Sequence, residues 1–167
     1  MERTLDLNNN YGSILDLSNG NLNIVNTTID NYCKDIDIGA RVYHLLVFDG
    51  DYNATITDSK LNNNNASVVL STITIYGNGS LNITNSELNN NNKAITYDVF
   101  ENYNPLNELN LINCTLNNNN EAIRTNEKNT INLKNCTLNN NNQTAISNGD
   151  NNTINLINCT LNNNNQT

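Results

Sequence analysis

A parallel β-solenoid, in which each coil of the chain is laid on the one before, is the fold class this sequence predicts. Three observations carry that prediction. The string Leu-Asn-Asn-Asn-Asn begins at Leu61, Leu88, Leu116, Leu138 and Leu161, at spacings of 27, 28, 22 and 23 residues, and self-similarity on this scale marks stacked repeat architectures. Around each string the apolar residues alternate with polar ones, break at an Asn, and alternate again in shifted phase, as in Leu109, Leu111, Cys114 and Leu116. That is strand, turn, strand. Finally, Asn fills 46 of the 167 positions, and Asn competes for backbone hydrogen bonds inside helices, while no apolar stripe at helical spacing runs along the chain.

The elements follow in order. Met1 to Asn21 is expected to form an irregular first coil, with Leu5, Leu7, Ile14, Leu15 and Leu17 as its inward residues. A degenerate copy of the repeat, LNIVNTTIDN, opens the Asn-rich coils at Leu22 and extends them to Thr167. Full units then read ATITDSKLNNNN from Ala54, LNITNSELNNNN from Leu81, LNLINCTLNNNN from Leu109, INLKNCTLNNNN from Ile131 and INLINCTLNNNN from Ile154. The last two spacings set a basic coil of about 22 to 23 residues. Longer spacings imply insertions, placed near residues 32–52 and 97–107, the latter with Phe100, Tyr103 and the only proline, Pro105.

Stacking is a physical requirement for such units. Each strand is too short and too polar on its outer face to bury anything alone, so coils must lie about 4.8 Å apart and share ladders. About six inward apolar side chains per coil, at roughly 1.5 to 3 kcal/mol each, give on the order of 10 kcal/mol of burial before chain entropy is subtracted. In register, an Asn at a turn meets the Asn of the next coil and bonds it side chain to side chain. Asn also accepts the left-handed backbone conformation that sharp corners need.

The pattern hydrophobic-x-Asn-Cys/Ser-x-Leu-x-x-Asn-Asn, from about Leu22 to Thr167, resembles the right-handed parallel β-helix repeats of bacterial and archaeal surface proteins. It is most similar in character to the Asn-rich adhesin-like proteins of methanogenic archaea and bacteria. The resemblance implies right-handed coiling, a place outside the cell or on its surface, and a non-catalytic module that presents loops or a polar solenoid face to a glycan or a cell-surface protein. The same architecture also carries polysaccharide lyases and hydrolases, so a fragment of a carbohydrate-active enzyme with its catalytic coils elsewhere is the alternative. Met1 to Asp6 hold no apolar run of the export-signal kind, and the last unit stops at Thr167, short of the Ala-Ile that follows the previous one. Both features lead us to expect a single solenoid domain, 1–167, cut from a longer repeat protein, with open coil ends able to self-associate.

Composition narrows the partners. Eight Lys and Arg stand against 16 acidic residues, a formal net charge of −8, and the scattered cations cannot neutralise a phosphate backbone, which argues against nucleic acid. The longest apolar stretch, Arg41 to Phe48, is far too short to span a bilayer.

Individual residues add little chemistry. Asp49, Asp51 and Asn53 resemble the start of a calcium loop, with Ile56 at its hydrophobic position, but Ala54 replaces the turn glycine and Lys60 the bidentate acid. The expectation is an acidic turn entering a coil. His44, the only histidine, lacks a nucleophile or metal partner at useful spacing. Cys114, Cys136 and Cys159 occupy one repeat position, so their Cβ vectors point the same way, which suits stacked buried thiols better than disulfides or a zinc site. No catalytic, cofactor-binding or metal-binding residue is assigned, and no cofactor is expected. One recognition patch is: Tyr97, Asp98, Phe100, Glu101 and Tyr103, on the second insertion.

Overall fold

The computed structural model describes residues 3–6, 15–30, 44–64, 71–97 and 107–165. Among the described residues there is no helix. The strands are β1 (Arg3–Asp6), β2 (Leu15–Leu17), β3 (Gly20–Val25), β4 (Thr27–Asp30), β5 (His44–Phe48), β6 (Tyr52–Thr57), β7 (Lys60–Asn62), β8 (Ser71–Ile75), β9 (Gly79–Thr84), β10 (Lys93–Tyr97), β11 (Asn107–Ile112), β12 (Glu121–Thr125), β13 (Thr130–Lys134), β14 (Ile146–Asn148) and β15 (Thr153–Ile157). Every pairing between them is parallel. The fold is an all-β parallel solenoid.

Each coil visits three sheets. Sheet I stacks β2, β5, β8, β10, β12 and β14, and sheet II stacks β3, β6, β9, β11, β13 and β15. Sheet III begins as β1, β4 and β7 and continues as single bridges through Lys60, Glu87, Thr115, Thr137 and Thr160. Equivalent residues of successive coils are 32, 27, 28, 22 and 23 positions apart. The surplus of the first three coils falls in residues 31–43, 65–70 and 98–106, between described strands.

Register builds the core. Sheet II contributes two inward columns: Leu22, Ala54, Leu81, Leu109, Ile131 and Ile154, and Ile24, Ile56, Ile83, Leu111, Leu133 and Leu156. Sheet III contributes the leucine of each Leu-Asn-Asn string, with Leu61, Leu88, Leu116 and Leu138 fully buried. Sheet I contributes Leu46, Ile73, Ile95, Ile123 and Ile146. Its strands depart from strict alternation, because Leu45, Ala94 and Ala122 are buried beside that column as well. Small alanines permit two adjacent inward residues where the coil leaves the Asn-rich corner.

Corners depend on backbone geometry that few residues adopt. The residue after sheet II, at Asn26, Asp58, Asn85, Asn113, Asn135 and Asn158, has φ of 48 to 55°. The second Asn of each string, at Asn63, Asn90, Asn118, Asn140 and Asn163, has φ of 54 to 57°. Asn and Asp tolerate this left-handed region better than other non-glycine residues. At the third corner, Gly79 has φ of +151°, and a Cβ there would lie 1.9 Å from the Tyr52 carbonyl oxygen of the coil below.

Within 1–21 the described residues include strands: β1 pairs with β4, β2 with β5, and β3 begins at Gly20. Within 32–52, His44–Phe48 is a strand of sheet I and not loop, with Leu45, Leu46 and Phe48 buried. Its run of apolar residues hides the alternation but suits a strand that is buried on both faces. No helix among the described residues is long and apolar enough to cross a membrane.

Candidate binding face

The two long sheets differ in what they expose. In β5, β8 and β10 of sheet I nearly every residue is buried, including the outward Val47, Thr74 and Thr96. Sheet II alternates buried and open, as in β11 and β13. Sheet I opens at Arg124 of β12 and in β14, so the outer face of sheet II is the longer surface available to a partner.

That face carries an amide ladder on regular strands. Asn82, Asn110, Asn132 and Asn155 point outward between the two inward columns, and from Asn110 on each Nδ2 donates to the Oδ1 of the coil before it: Asn110 to Asn82 at 2.8 Å, Asn132 to Asn110 at 2.8 Å, Asn155 to Asn132 at 2.7 Å. Asn110 uses one N–H and one lone pair in this way and keeps one of each for solvent, whereas Asn132 also donates to Glu108 and has both N–H groups engaged. Beside the ladder runs a second outward column, Thr84, Ile112, Lys134 and Ile157. Ile112 is 40% and Ile157 54% exposed. The four Asn, with Ile112, Lys134 and Ile157, line a trough of about 750 Å³ that also reaches the inward Leu133, Ile154 and Leu156 at the last described strand. On the other side of the ladder, Glu108 Oε1 accepts from Asn132 Nδ2 at 3.3 Å. The trough thus offers neutral donors and acceptors at the coil spacing, an aliphatic margin, and one cation, Lys134.

The recognition patch read from the sequence is corrected in part. Tyr97 closes β10 and is 1% exposed, stacked in register on Ile75 inside the solenoid. Burial and the neighbouring Tyr52 raise its phenol pKa, and burial raises that of Tyr52, whose hydroxyl donates to Asn107 Oδ1 at 3.1 Å. Tyr97 is a core residue because its position in the strand is inward, and an aromatic ring fills the corner between sheets I and II. Asp98, Phe100, Glu101 and Tyr103 lie outside the described residues.

The other singled-out residues have structural settings. His44 starts β5, half-buried, with Nδ1 2.6 Å from Thr74 Oγ1 and its ring edge-on to Tyr76 at 6.2 Å. Asp49 and Asp51 lie in the turn from β5 to β6, where the Asp51 N–H donates to Asn19 Oδ1 at 3.0 Å. Asn53 and Ile56 are already part of β6, with Ile56 fully buried.

The cysteines line one column of sheet III. Cys114 and Cys136 are buried and Cys159 is partly so, all three as free thiols; Cys33 lies outside the described residues. Each Sγ donates to the carbonyl two residues earlier, at 3.3 to 3.4 Å. In earlier coils the same column holds Thr27, Ser59 and Ser86, whose hydroxyls make the equivalent bond at 3.0, 2.8 and 2.8 Å. A hydrogen bond with Cys136, and secondarily burial, pushes the Cys114 thiol well up, while the same bond favours a thiolate at Cys136.

No protein-family model matches this chain, and neither a curated protein nor a solved structure is significantly similar to it.

Proposed function

We propose that this chain is a non-catalytic, adhesin-like surface module, and that the outer face of sheet II is where it engages a glycan. One observation carries the reading: the open face of the solenoid is a continuous amide ladder with an aliphatic margin. Sugar hydroxyls are paired donors and acceptors, which is what Asn110 leaves free and what Asn132 offers together with its partner Glu108, and the C–H faces of a sugar ring pack against exposed isoleucines. Neutral groups also bind sugars without the desolvation cost of a buried charge. Rigid, in-register coils hold these groups in position in advance, which reduces the ordering cost of a weak, repeated contact.

The coil framework contributes stiffness and reach in this reading, as expected for a module that displays a surface. It implies a location on the cell surface, which immunodetection on intact cells checks. The right-handed coiling implied by the resemblance belongs to the same proposal.

The test is a glycan-array screen of the purified chain, followed by calorimetry on any hit with the Asn110→Ala/Asn132→Ala double variant. Retention of a glycan by the parent chain and a loss of roughly tenfold or more in the variant, from two or more hydrogen bonds at about 0.5 to 1.5 kcal/mol each, is the expected result. Equal binding by both chains would remove sheet II from the site. Cleavage of the bound glycan would favour a carbohydrate-active enzyme instead.

A further inference from the structure

The thiol column of sheet III has a geometry that the binding face does not use. Strand register places Cys114, Cys136 and Cys159 directly over one another, through the bridges Thr115 to Thr137 and Thr137 to Thr160. Because each Sγ is tied to the carbonyl two residues before it, all three side chains point the same way and the line from one sulfur to the next runs along the stacking axis. Successive coils are about 4.8 Å apart. A disulfide wants its Cβ atoms about 3.8 Å apart, so in-register cysteines are roughly 1 Å too distant to bridge without moving backbone. Two metal–thiolate bonds of about 2.3 Å each, placed end to end, span about 4.6 Å. The gap between stacked thiols therefore matches a linear sulfur–metal–sulfur unit.

We propose that this column binds a soft monovalent d10 ion, Cu(I) or Ag(I), in linear two-coordination between the sulfurs of successive coils. Among the described residues no three His, Cys, Asp or Glu side chains converge on a point, so the tetrahedral sites of zinc have no counterpart here, whereas two-coordinate ions need only the pair that the stack supplies. Thiol ligands select Cu(I) over harder ions. In the binding step two thiols and one monovalent ion give a thiolate–metal–thiolate bridge and release two protons; no electron is transferred. The bridge carries one negative charge, and each Sγ gives up its S–H bond to the carbonyl two residues back, such as that of Cys114 to Ile112 at 3.3 Å. Cys136 is common to both gaps, and the partly exposed Cys159 marks the accessible end.

The test uses the reduced, metal-free full chain carrying Cys33→Ser, titrated with silver nitrate in chloride-free buffer. Bound silver is read from the near-ultraviolet thiolate-to-metal absorption and by native mass spectrometry. The parent is expected to bind one to two ions, Cys114→Ser and Cys159→Ser one each, and Cys136→Ser none. Serine already occupies this column at Ser59 and Ser86 with the same carbonyl bond, so the variants retain the fold, and circular dichroism verifies it. Silver uptake by folded Cys136→Ser equal to the parent's, three independently bound ions in the parent, or no uptake by the parent would each overturn the proposal.

Discussion

The four asparagines of each string are one residue type in four roles. In the coil of Leu116, Asn117 Oδ1 accepts the N–H of Asn139 in the next coil at 2.8 Å. Asn118 takes the left-handed corner at φ 57°. Asn119 is buried, and it accepts the Asn91 N–H at 2.8 Å while donating to the Leu88 carbonyl at 3.0 Å. Asn120 extends an outer ladder by donating to Asn92 Oδ1 at 3.2 Å. Substitution should therefore rank these neighbours. Asn119→Ala leaves two buried backbone groups unpaired and is expected to cost about 2 to 4 kcal/mol, while Asn120→Ala costs under about 1 kcal/mol. Asn118→Ala forces an alanine into the left-handed region at about 1 to 2 kcal/mol, whereas Asn118→Gly is close to neutral. Urea unfolding of the four variants checks the order, and equal costs at all positions would mean that the ladders carry no specific role. None of this ranking is legible in the string itself, because four identical letters acquire different roles only when the coil turns beneath them.

At the level of the strand, alternation was the readable signal, and sheet II obeys it. Sheets I and III do not, for separate reasons. Sheet III shrinks in later coils to single bridges flanked by the inward Cys and Leu, too short for a period to be seen. Sheet I is buried on both faces in β5, β8 and β10, so its strands read as apolar or hydroxyl runs, and Tyr97, taken for a loop residue, is part of one. Packing at this scale is tested in the middle of the stack. Leu111→Ala removes a fully buried side chain covered by coils on both sides and is expected to destabilise by about 2 to 5 kcal/mol. The equivalent Leu156→Ala, in the outermost described strand where Leu156 is 45% exposed, should cost less than half as much. Gly79→Ala brings a Cβ against the Tyr52 carbonyl and within 3.1 Å of its ring and should lower the melting temperature or abolish folding.

For the molecule as a whole, coils that pair strand by strand with their neighbours make stability close to a sum of coil and interface terms, with the Tyr52 hydroxyl reaching across two coils to Asn107. The inner polar groups give that sum a pH dependence. Tyr52 and Tyr97 have phenol pKa values raised in the folded chain, so the unfolded chain releases those protons first, from about pH 10. Their contribution is complete below that pH and is lost as pH rises above it. Thermal melts between pH 8 and 12 should show the loss, and it should be smaller in Tyr97→Phe; an identical alkaline decline in that variant would assign it to other groups.

The sequence alone determined the coil, its basic length, the inward columns and the Asn corners, because in a solenoid each contact is made by the equivalent residue one repeat away and so reappears as periodicity. Tertiary structure alone decided which outer face stays open and how the amide ladder on sheet II lines a trough. These depend on the angle at which one sheet turns into the next and on where the longer coils add their extra residues, and neither quantity leaves a period in the chain.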